Sequence, residues 1–180
     1  MTASRRPVAV LVGPMGAGKS TIGAALAARF QVALCDTDDE IERRSGRSIP
    51  QIFADDGEAA FRALEADVVA DVIASHDGVV SLGGGAVMTE AVRGVLTEQA
   101  VVYLEIGPTA GFARVAHSNR PLLAAPDPAA RYADLLAQRA PTYRAVAAVV
   151  VNADRDPRMV VDDIVARLAD VPSDSSDQTQ

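Results

Sequence analysis

Short apolar runs alternate with longer stretches of helical periodicity along most of the chain. Turn residues or charges bound each apolar run, as expected of a buried strand. The predicted strands are Val8–Val12, Val32–Cys35, Val79–Leu82, Val101–Glu105 and Ala148–Val151. This alternation predicts the α/β class, with a parallel sheet covered by helices on both faces. Ligands of such folds bind at the carboxyl ends of the strands, so functional residues are expected there.

The clearest helix is predicted over Glu58–Ser75, where apolar residues recur at intervals of three or four. Before it, Ser48 is followed three residues later by Gln51, and this spacing predicts a capped helix start. A later helix is expected to end just before Pro141, because proline removes a backbone donor and clashes inside a helix. Such an ending could aim Arg139 back into the cleft at the strand ends.

A glycine-rich segment follows the first predicted strand and runs into an alanine-rich helical pattern. It reads Gly13-Pro-Met-Gly-Ala-Gly-Lys-Ser-Thr21, and the strand before it and the helix after it are the context of a phosphate-binding loop. In such loops backbone N–H groups face phosphate oxygens, the lysine reaches the β- and γ-phosphates, and the serine hydroxyl ligates Mg²⁺. The predicted nucleotide-binding residues are Gly16, Ala17, Gly18, Lys19, Ser20 and Thr21. A glycine-rich turn that binds nothing is the alternative, and we expect a nucleoside triphosphate ligand instead.

Two further strand ends carry candidate chemistry. The second strand ends in Asp36-Thr-Asp38, where one carboxylate could hold Mg²⁺ through water and the other could face a substrate hydroxyl. The alternative for either aspartate is a cap for the next helix. The third strand is followed by Gly83, Gly84 and Gly85, which would allow a ligand to approach the backbone closely. The alternative there is a tight turn.

Three arginines are candidates for binding anionic groups, and each has an ordinary structural alternative. Arg62 and Glu65 are three residues apart on the predicted helix and could be only a solvated ion pair. Arg120 opens a proline-interrupted loop that resembles a lid, where an arginine can neutralise a moving phosphoryl group, although it could also be an exposed surface residue. Arg139 could simply complement a helix dipole.

Composition narrows the classes of partner. At 180 residues the chain is expected to form one domain over residues 1–171, followed by a disordered Ser-, Asp- and Gln-rich tail, 172–180. A net charge of −7 disfavours a nucleic acid or an anionic membrane as partner. The single cysteine, Cys35, precludes an internal disulfide, and the chain lacks a long apolar run or a secretory signal. We therefore expect a cytoplasmic protein, in which Cys35, His76 and His117 have no catalytic role.

Taken together, these segments resemble the shikimate kinase family. The resemblance extends from about Val8 to Leu168 and includes several blocks that other small P-loop kinases lack. The blocks are the phosphate loop, Asp36-Thr-Asp38-x-x-Ile-Glu42, Gly46-Arg-Ser-Ile49-x-x-Ile-Phe53, Gly57-Glu58-x-x-Phe61-Arg62-x-x-Glu65, Gly83-Gly-Gly85, Arg120-Pro-Leu-Leu and Arg139-x-x-x-Tyr143. The resemblance implies a three-layer α/β/α sandwich with a five-stranded parallel sheet, the P-loop NTPase fold of nucleoside monophosphate kinases.

The resemblance also implies a reaction, the transfer of the γ-phosphoryl group of ATP to the 3-hydroxyl of shikimate with one Mg²⁺ ion. It further implies that the protein is a monomer. Substrate-binding helices are expected over about 38–65 and a lid over about 117–130. Residues implied to bind shikimate are Asp38, Phe53, Phe61, Arg62, Glu65, Gly83, Gly84, Gly85 and Arg139. Residues implied to bind the metal are Ser20 and Asp36. The catalytic residues implied are Lys19, Asp38 and Arg120.

Within these sets the resemblance assigns individual roles. Arg62 and Arg139 would clamp the shikimate carboxylate, with Glu65 orienting Arg62, because guanidinium groups suit bidentate binding of carboxylates. Asp38 would hold ring hydroxyls and act on the attacking hydroxyl, either as a general base or only by aligning it. Arg114 and Arg155 resemble positions that stack on adenine.

Two other functions are compatible with a phosphate loop. A sugar-acid kinase of the gluconate kinase kind shares the loop and general fold, whereas the Asp36-Thr-Asp38 pair and the Gly57-Glu58-x-x-Phe61-Arg62 block favour shikimate. A nucleoside monophosphate kinase is disfavoured because no segment resembles its base-recognition region. A nucleotide-dependent switch belongs to a different class, and it is disfavoured because every charged position that phosphoryl transfer requires is filled.

Overall fold

The described part of the protein contains one parallel sheet of five strands. The computed structural model describes residues 7–117, 123 and 125–171. The strands are β1 (Ala9–Val12), β2 (Leu34–Asp36), β3 (Val79–Ser81), β4 (Val101–Glu105) and β5 (Val149–Asn152), in the spatial order β2-β3-β1-β4-β5. All five predicted strands are present, with small shifts at their ends. The helices are α1 (Lys19–Phe30), α2 (Thr37–Ser45), α3 (Ile49–Ser75), α4 (Glu90–Leu96), α5 (Pro108–Val115), α6 (Pro128–Val146) and α7 (Pro157–Ala169).

Helices cover both faces of the sheet. Successive residues of a strand point to opposite faces, so a strand that is apolar throughout needs helices on both sides to bury it. In β1, Val10 and Val12 pack in one apolar cluster with residues of α3 and α4, and Ala9 and Leu11 pack in a second cluster with residues of α1 and α7. All four side chains are buried. Burial on both faces explains why the β1 segment contains no charged residue. The predicted three-layer sandwich is confirmed. Among the described residues, no helix has the length and apolar character needed to cross a membrane.

The order of the strands brings the predicted site together at one edge. β3 lies between β2 and β1, and Ser81 at the end of β3 pairs in register with Asp36 of β2 and Leu11 of β1. The phosphate loop leaves β1, the aspartates leave β2 and the glycine triplet leaves β3, so three separate segments of the sequence meet at the carboxyl ends of adjacent strands.

The long helix α3 begins as predicted and contains a break. Ser48 caps it through a capping box, in which the Ser48 hydroxyl accepts from the Gln51 N–H and the Gln51 side chain accepts from the Ser48 N–H. Gly57 interrupts the helix with φ 85° and ψ 172°. In a straight helix Phe53 and Phe61 would be separated by about 12 Å along the axis, yet their ring centroids are 4.5 Å apart. The break at Gly57 brings these two rings together.

Replacing Gly57 with Ala is expected to destabilise the fold by about 1–3 kcal/mol, because its backbone conformation is almost restricted to glycine. A Cβ at this position would have no heavy atom within 4 Å, so the loss reports backbone strain and not a steric clash. Denaturant-induced unfolding measures the effect. The matched control is Gly94→Ala in α4, where the Cβ also enters open space and φ is not positive; this change should stabilise by about 0.5–1 kcal/mol. Equal stability of the two variants would contradict the argument.

The predicted end of a helix before Pro141 is wrong. Helix α6 continues through Pro141 to Val146. An interior proline disfavours a helix, but the last turn of α6 carries Tyr143, which is buried, stacks on Tyr103 with ring centroids 5.1 Å apart, and donates a hydrogen bond to the Gly84 carbonyl. Tertiary packing of one aromatic side chain outweighs the local preference of the proline.

Candidate active site

The phosphate loop connects β1 to α1. Gly18 occupies the N-cap position of α1 in the left-handed conformation, with φ 89°, which leaves the first N–H groups of the helix facing outward. The Lys19 ammonium group donates to the Gly13 carbonyl at 2.8 Å and to the Pro14 carbonyl at 3.0 Å, so the side chain lies back over the loop. This arrangement places backbone donors, the positive end of a helix dipole and a cation around one point, which suits a polyphosphate.

A cavity of about 640 Å³ extends from this loop to α3. Most of the residues predicted from the sequence line it, although they come from widely separated segments. They are Gly16, Gly18, Lys19, Ser20, Thr21, Asp36, Asp38, Phe53, Phe61, Arg62, Glu65, Gly83, Gly84, Gly85, Arg114 and Arg139. Ala17 is buried behind the loop and does not line the cavity. Arg120, with much of the predicted lid, lies outside the described residues.

The position of Asp36 is compatible with both alternatives, a helix cap and a metal ligand. Its carboxylate caps α2 by accepting from the Asp38 N–H at 3.0 Å, which is the structural alternative, and it also lines the cavity. The Ser20 and Ser81 side chains line the same cavity, and the buried Ser81 hydroxyl has no hydrogen-bond partner among the described residues. Two hydroxyls and one carboxylate form an all-oxygen donor set, and Mg²⁺ bound with a nucleotide typically takes only one or two protein ligands. The residues therefore fit Mg²⁺.

The Arg62–Glu65 pair is not a solvated surface pair. The Glu65 side chain is 1% exposed and the Arg62 side chain 19% exposed, and the guanidinium donates to the carboxylate at 2.6 Å. Burial raises the pKa of Glu65, and the positive charge of Arg62 partly opposes that rise. A second carboxylate, that of the exposed Glu58, lies 3.6 Å from the other guanidinium nitrogen of Arg62. Glu65 thus fixes one side of the guanidinium, and the rest of the group borders the cavity.

Charged side chains approach two of the three glycines, Gly83 and Gly85, closely. A Cβ on Gly83 would lie 2.6 Å from an Asp38 carboxylate oxygen, and a Cβ on Gly85 would lie 2.5 Å from an Arg62 nitrogen. Both distances are shorter than a van der Waals contact. The Gly83 N–H also donates to the buried Thr37 hydroxyl at 3.2 Å, which ties this loop to the start of α2. The absence of side chains therefore leaves room for the two charged groups that face the cavity.

Replacing Gly85 with Ala should displace the Arg62 guanidinium while leaving the phosphate loop untouched. We expect the KM of the anionic acceptor to rise by about tenfold or more, since a charge-assisted hydrogen bond is worth about 1.5–3 kcal/mol, and the KM of the nucleotide to stay within about twofold. Steady-state kinetics with each substrate varied in turn measures both. Gly107→Ala serves as the control, because a Cβ there meets no heavy atom within 4 Å and lies outside the cavity lining. An unchanged acceptor KM in the Gly85→Ala variant would contradict the steric argument.

The two arginines predicted to contact adenine differ in their positions. Arg114 lines the cavity and joins the phosphate loop to the segment after β5, donating to the Gly16 and Ala153 carbonyls at 3.2 Å each. Arg155 does not line the cavity: its guanidinium donates to Asp163 at 2.7 Å. Arg114 therefore borders the cavity beside the phosphate loop, and the adenine contacts of both Arg114 and Arg155 stay predictions.

Several residues that shape the site were not singled out from the sequence. Thr37 and Ser81 are buried polar residues at strand ends, and their position next to the aspartates and the glycine triplet is a signal that could have identified them. Tyr132 and Tyr143 are buried residues of α6 whose hydroxyls bond to loop carbonyls. Tyr143 closes the Arg139-x-x-x-Tyr143 block but was given no role, and the sequence offers no local signal for such long-range bonds. Cys35, His76 and His117 do not line the cavity, in keeping with the expectation that they have no catalytic role. Burial raises the pKa of the Cys35 thiol.

Comparison with known proteins identifies one family. The family model described as shikimate kinase matches residues 15–169 of the chain. A shikimate kinase of Mycobacterium tuberculosis is 53% identical over 175 residues, which cover 96% of this chain and 99% of the relative. A shikimate kinase of Rhodococcus erythropolis is 48% identical over 167 residues, which cover 92% and 99% of the two chains.

Solved structures give the same result for the fold. A shikimate kinase from Acinetobacter baumannii in complex with shikimate is similar with a TM-score of 0.87 at 35% identity, over 94% of this chain and 97% of that chain. A gluconokinase from Sinorhizobium meliloti has a TM-score of 0.54 at 18% identity, over 93% and 94% of the chains, and shares the fold alone. The match to the family model and the identity to its members confirm the resemblance seen in the sequence, and with it the P-loop α/β fold: this chain belongs to the shikimate kinase family.

Proposed function

We propose that this protein transfers the γ-phosphoryl group of ATP to the 3-hydroxyl of shikimate, giving shikimate 3-phosphate and ADP. One observation carries the proposal: a single cavity has a phosphate loop at one end and, at the other, two arginines beside an aspartate. A polyphosphate donor fits the first end and a hydroxylated carboxylate the second, so donor and acceptor meet within one cavity.

The acceptor end suits a small cyclic hydroxy acid. Arg62 and Arg139 both border the cavity and supply planar donors for a carboxylate. Asp38 lines the cavity beside Gly83 and holds ring hydroxyls, and the paired rings of Phe53 and Phe61 form an apolar wall. Glu65 holds Arg62 in place from its buried position.

The donor end supplies positioning and charge neutralisation, which phosphoryl transfer needs more than covalent chemistry. Loop N–H groups and Lys19 hold the β- and γ-phosphates. Arg114 donates to the Gly16 carbonyl and so holds the loop on the side that faces the nucleotide. Ser20 and Asp36 would hold Mg²⁺, Asp36 through water, and the ion would supply neutralisation of charge on the phosphates. Arg120, outside the described residues, is proposed to reach the transferred phosphoryl group from the lid.

The order of events at the acceptor follows from these positions. Arg62 and Arg139 orient the ring, and Asp38 aligns the attacking hydroxyl towards the γ-phosphorus and accepts its proton or a hydrogen bond from it. Negative charge that spreads over the γ-phosphoryl oxygens is met by Lys19 and the loop donors. We further propose that the protein works as a monomer in the cytoplasm.

The proposal is tested by ADP release from Mg²⁺ and ATP in the presence of shikimate or gluconate. We expect shikimate to raise the rate many-fold and gluconate to leave it unchanged, and we expect chelation of Mg²⁺ to abolish the stimulated rate. Gluconate is the matched comparison, because it is also a small hydroxy acid and its kinases share this fold. Binding of ATP without stimulation by either acid would refute the acceptor and favour a nucleotide-dependent switch.

A further inference from the structure

Helix α6 places two buried tyrosine hydroxyls on two different loops of the cavity. Tyr132, 2% exposed, donates to the Met15 carbonyl of the phosphate loop at 2.8 Å. Tyr143, 1% exposed, donates to the Gly84 carbonyl of the glycine triplet. These two residues lie about three turns apart, which puts them on the same face of the helix.

Arg139 lies between the two tyrosines on this face, two turns after Tyr132 and about one turn before Tyr143. Its side chain lines the main cavity and also a small void between α6 and the phosphate loop, where Pro14, Met15 and Tyr132 are its neighbours. One helical face therefore contacts the phosphate loop through Tyr132, borders the cavity through Arg139 and contacts the glycine triplet through Tyr143.

The Tyr132 hydroxyl reaches the phosphate loop because α5 has a glycine where the ring passes. A Cβ on Gly111 would lie 2.1 Å from the Tyr132 hydroxyl oxygen, and a Cβ on Gly16 would lie 2.5 Å from the Gly111 carbonyl oxygen. The phosphate loop, α5 and α6 are thus in direct contact at this point, and the bond to the Met15 carbonyl is a polar link between α6 and the phosphate loop.

The Tyr143 hydroxyl is held equally firmly at the other end. Its ring stacks on Tyr103, and burial raises its pKa to about 12, with the nearby Arg139 guanidinium partly opposing the rise. The hydroxyl therefore keeps its proton at neutral pH and donates to the Gly84 carbonyl throughout the working range. Loss of this hydroxyl would leave the Gly84 carbonyl without its donor and would also remove a hydrogen-bond acceptor from the Arg139 guanidinium.

We infer that Tyr132 and Tyr143 are positioning residues for the two substrates, Tyr132 setting the phosphate loop for the nucleotide and Tyr143 setting the glycine triplet for the acceptor. Neither touches a substrate itself. The inference rests on the proposed function for the identity of the acceptor. It assigns to α6 the positioning of two cavity loops, which the length of the helix and its interior proline do not suggest.

The test uses Tyr132→Phe and Tyr143→Phe, which retain the rings and remove only the hydroxyls. We expect Tyr132→Phe to raise the KM of ATP by about three- to tenfold, the range of one lost hydrogen bond, with the KM of shikimate within about twofold. Tyr143→Phe should show the opposite pattern. Tyr103→Phe is the matched control, because its ring belongs to the same stack and among the described residues its hydroxyl bonds to neither loop; both KM values should stay unchanged.

Two additional measurements separate positioning from general destabilisation. Calorimetric titration with ADP should show weaker binding by Tyr132→Phe and unchanged binding by Tyr143→Phe, and Gly111→Ala, which displaces the Tyr132 hydroxyl, should resemble Tyr132→Phe. A merely structural role would move both KM values together in each variant, and that result, or no change in either variant, would overturn the inference. A wild-type protein that releases no ADP with shikimate would instead overturn the proposed function, and the ADP titration would still decide the role of Tyr132.

Discussion

The Asp38→Asn variant is expected to lose turnover by about a hundred- to ten-thousandfold, the usual contribution of a positioned group that handles a proton, while it binds ATP nearly as well as the wild type. The carboxylate faces the acceptor end of the cavity, and a Cβ on neighbouring Gly83 would lie 2.6 Å from one of its oxygens. The asparagine amide keeps the size of the side chain and removes its charge and basicity. Single-turnover phosphoryl transfer gives the rate, and titration with ADP gives nucleotide affinity.

Asp39→Asn is the matched control for this experiment. Asp39 is the next residue of α2, carries the same charge, and is exposed and absent from the cavity lining. Its replacement should leave both turnover and ATP binding near wild-type values. If Asp38→Asn lost ATP binding together with turnover, the division between an acceptor aspartate and a separate phosphate site would be wrong.

The Arg62→Ala variant is expected to lose both acceptor affinity and stability. Removal of the guanidinium leaves the Glu65 carboxylate buried without its closest partner, and breaking one side of a buried ion pair usually costs about 3–5 kcal/mol. The KM of shikimate should rise by about a hundredfold, since a bidentate contact to the carboxylate is lost together with its orientation. Urea-induced unfolding gives the stability and steady-state kinetics gives the KM.

A second replacement separates these two effects. In Arg62→Ala/Glu65→Gln the buried group is neutral, so most of the lost stability should return while acceptor affinity stays low. The pH dependence provides a further check: burial already raises the pKa of Glu65, and removal of Arg62 raises it further. The fold then binds this proton at a higher pH than the unfolded chain does, so stability of Arg62→Ala should increase as the pH falls from neutral towards 5. The double variant should lack that increase, and equal stability of the two variants at pH 7 would contradict the role given to Glu65.

Local patterns in the sequence were sufficient for the sheet and for the phosphate loop. The strands could be predicted because they are short, buried on both faces and continuously apolar, as in β1 and β4. The phosphate loop could be predicted because its glycines, lysine and serine are consecutive in the chain. Asp38, Arg62 and the glycine triplet were recognised as a set by resemblance, and each had an equally ordinary structural explanation when taken alone.

Features that depend on contacts between distant segments were not predictable in this way. The end of α6 was misjudged because the penalty for Pro141 is local, whereas the stacking of Tyr143 on Tyr103 is a tertiary contact. The pairing of Arg155 with Asp163 spans a loop and a helix, and no pattern within either segment announces it. The contact between Phe53 and Phe61 depends on the φ of one glycine, which composition cannot reveal.

The strand order has a consequence for the construction of chimaeras with other P-loop kinases. Residues 36–85 run without interruption from the end of β2 to the glycine triplet after β3, and these two strands lie on one side of β1. Exchange of this segment is therefore the simplest way to transplant acceptor choice. Helix α6 lies outside that segment, yet it supplies Arg139 to the cavity and Tyr143 to the Gly84 carbonyl. A graft limited to this segment would therefore carry only one arginine of the proposed carboxylate clamp, and we expect a working chimaera to need the matching face of α6 from the same parent.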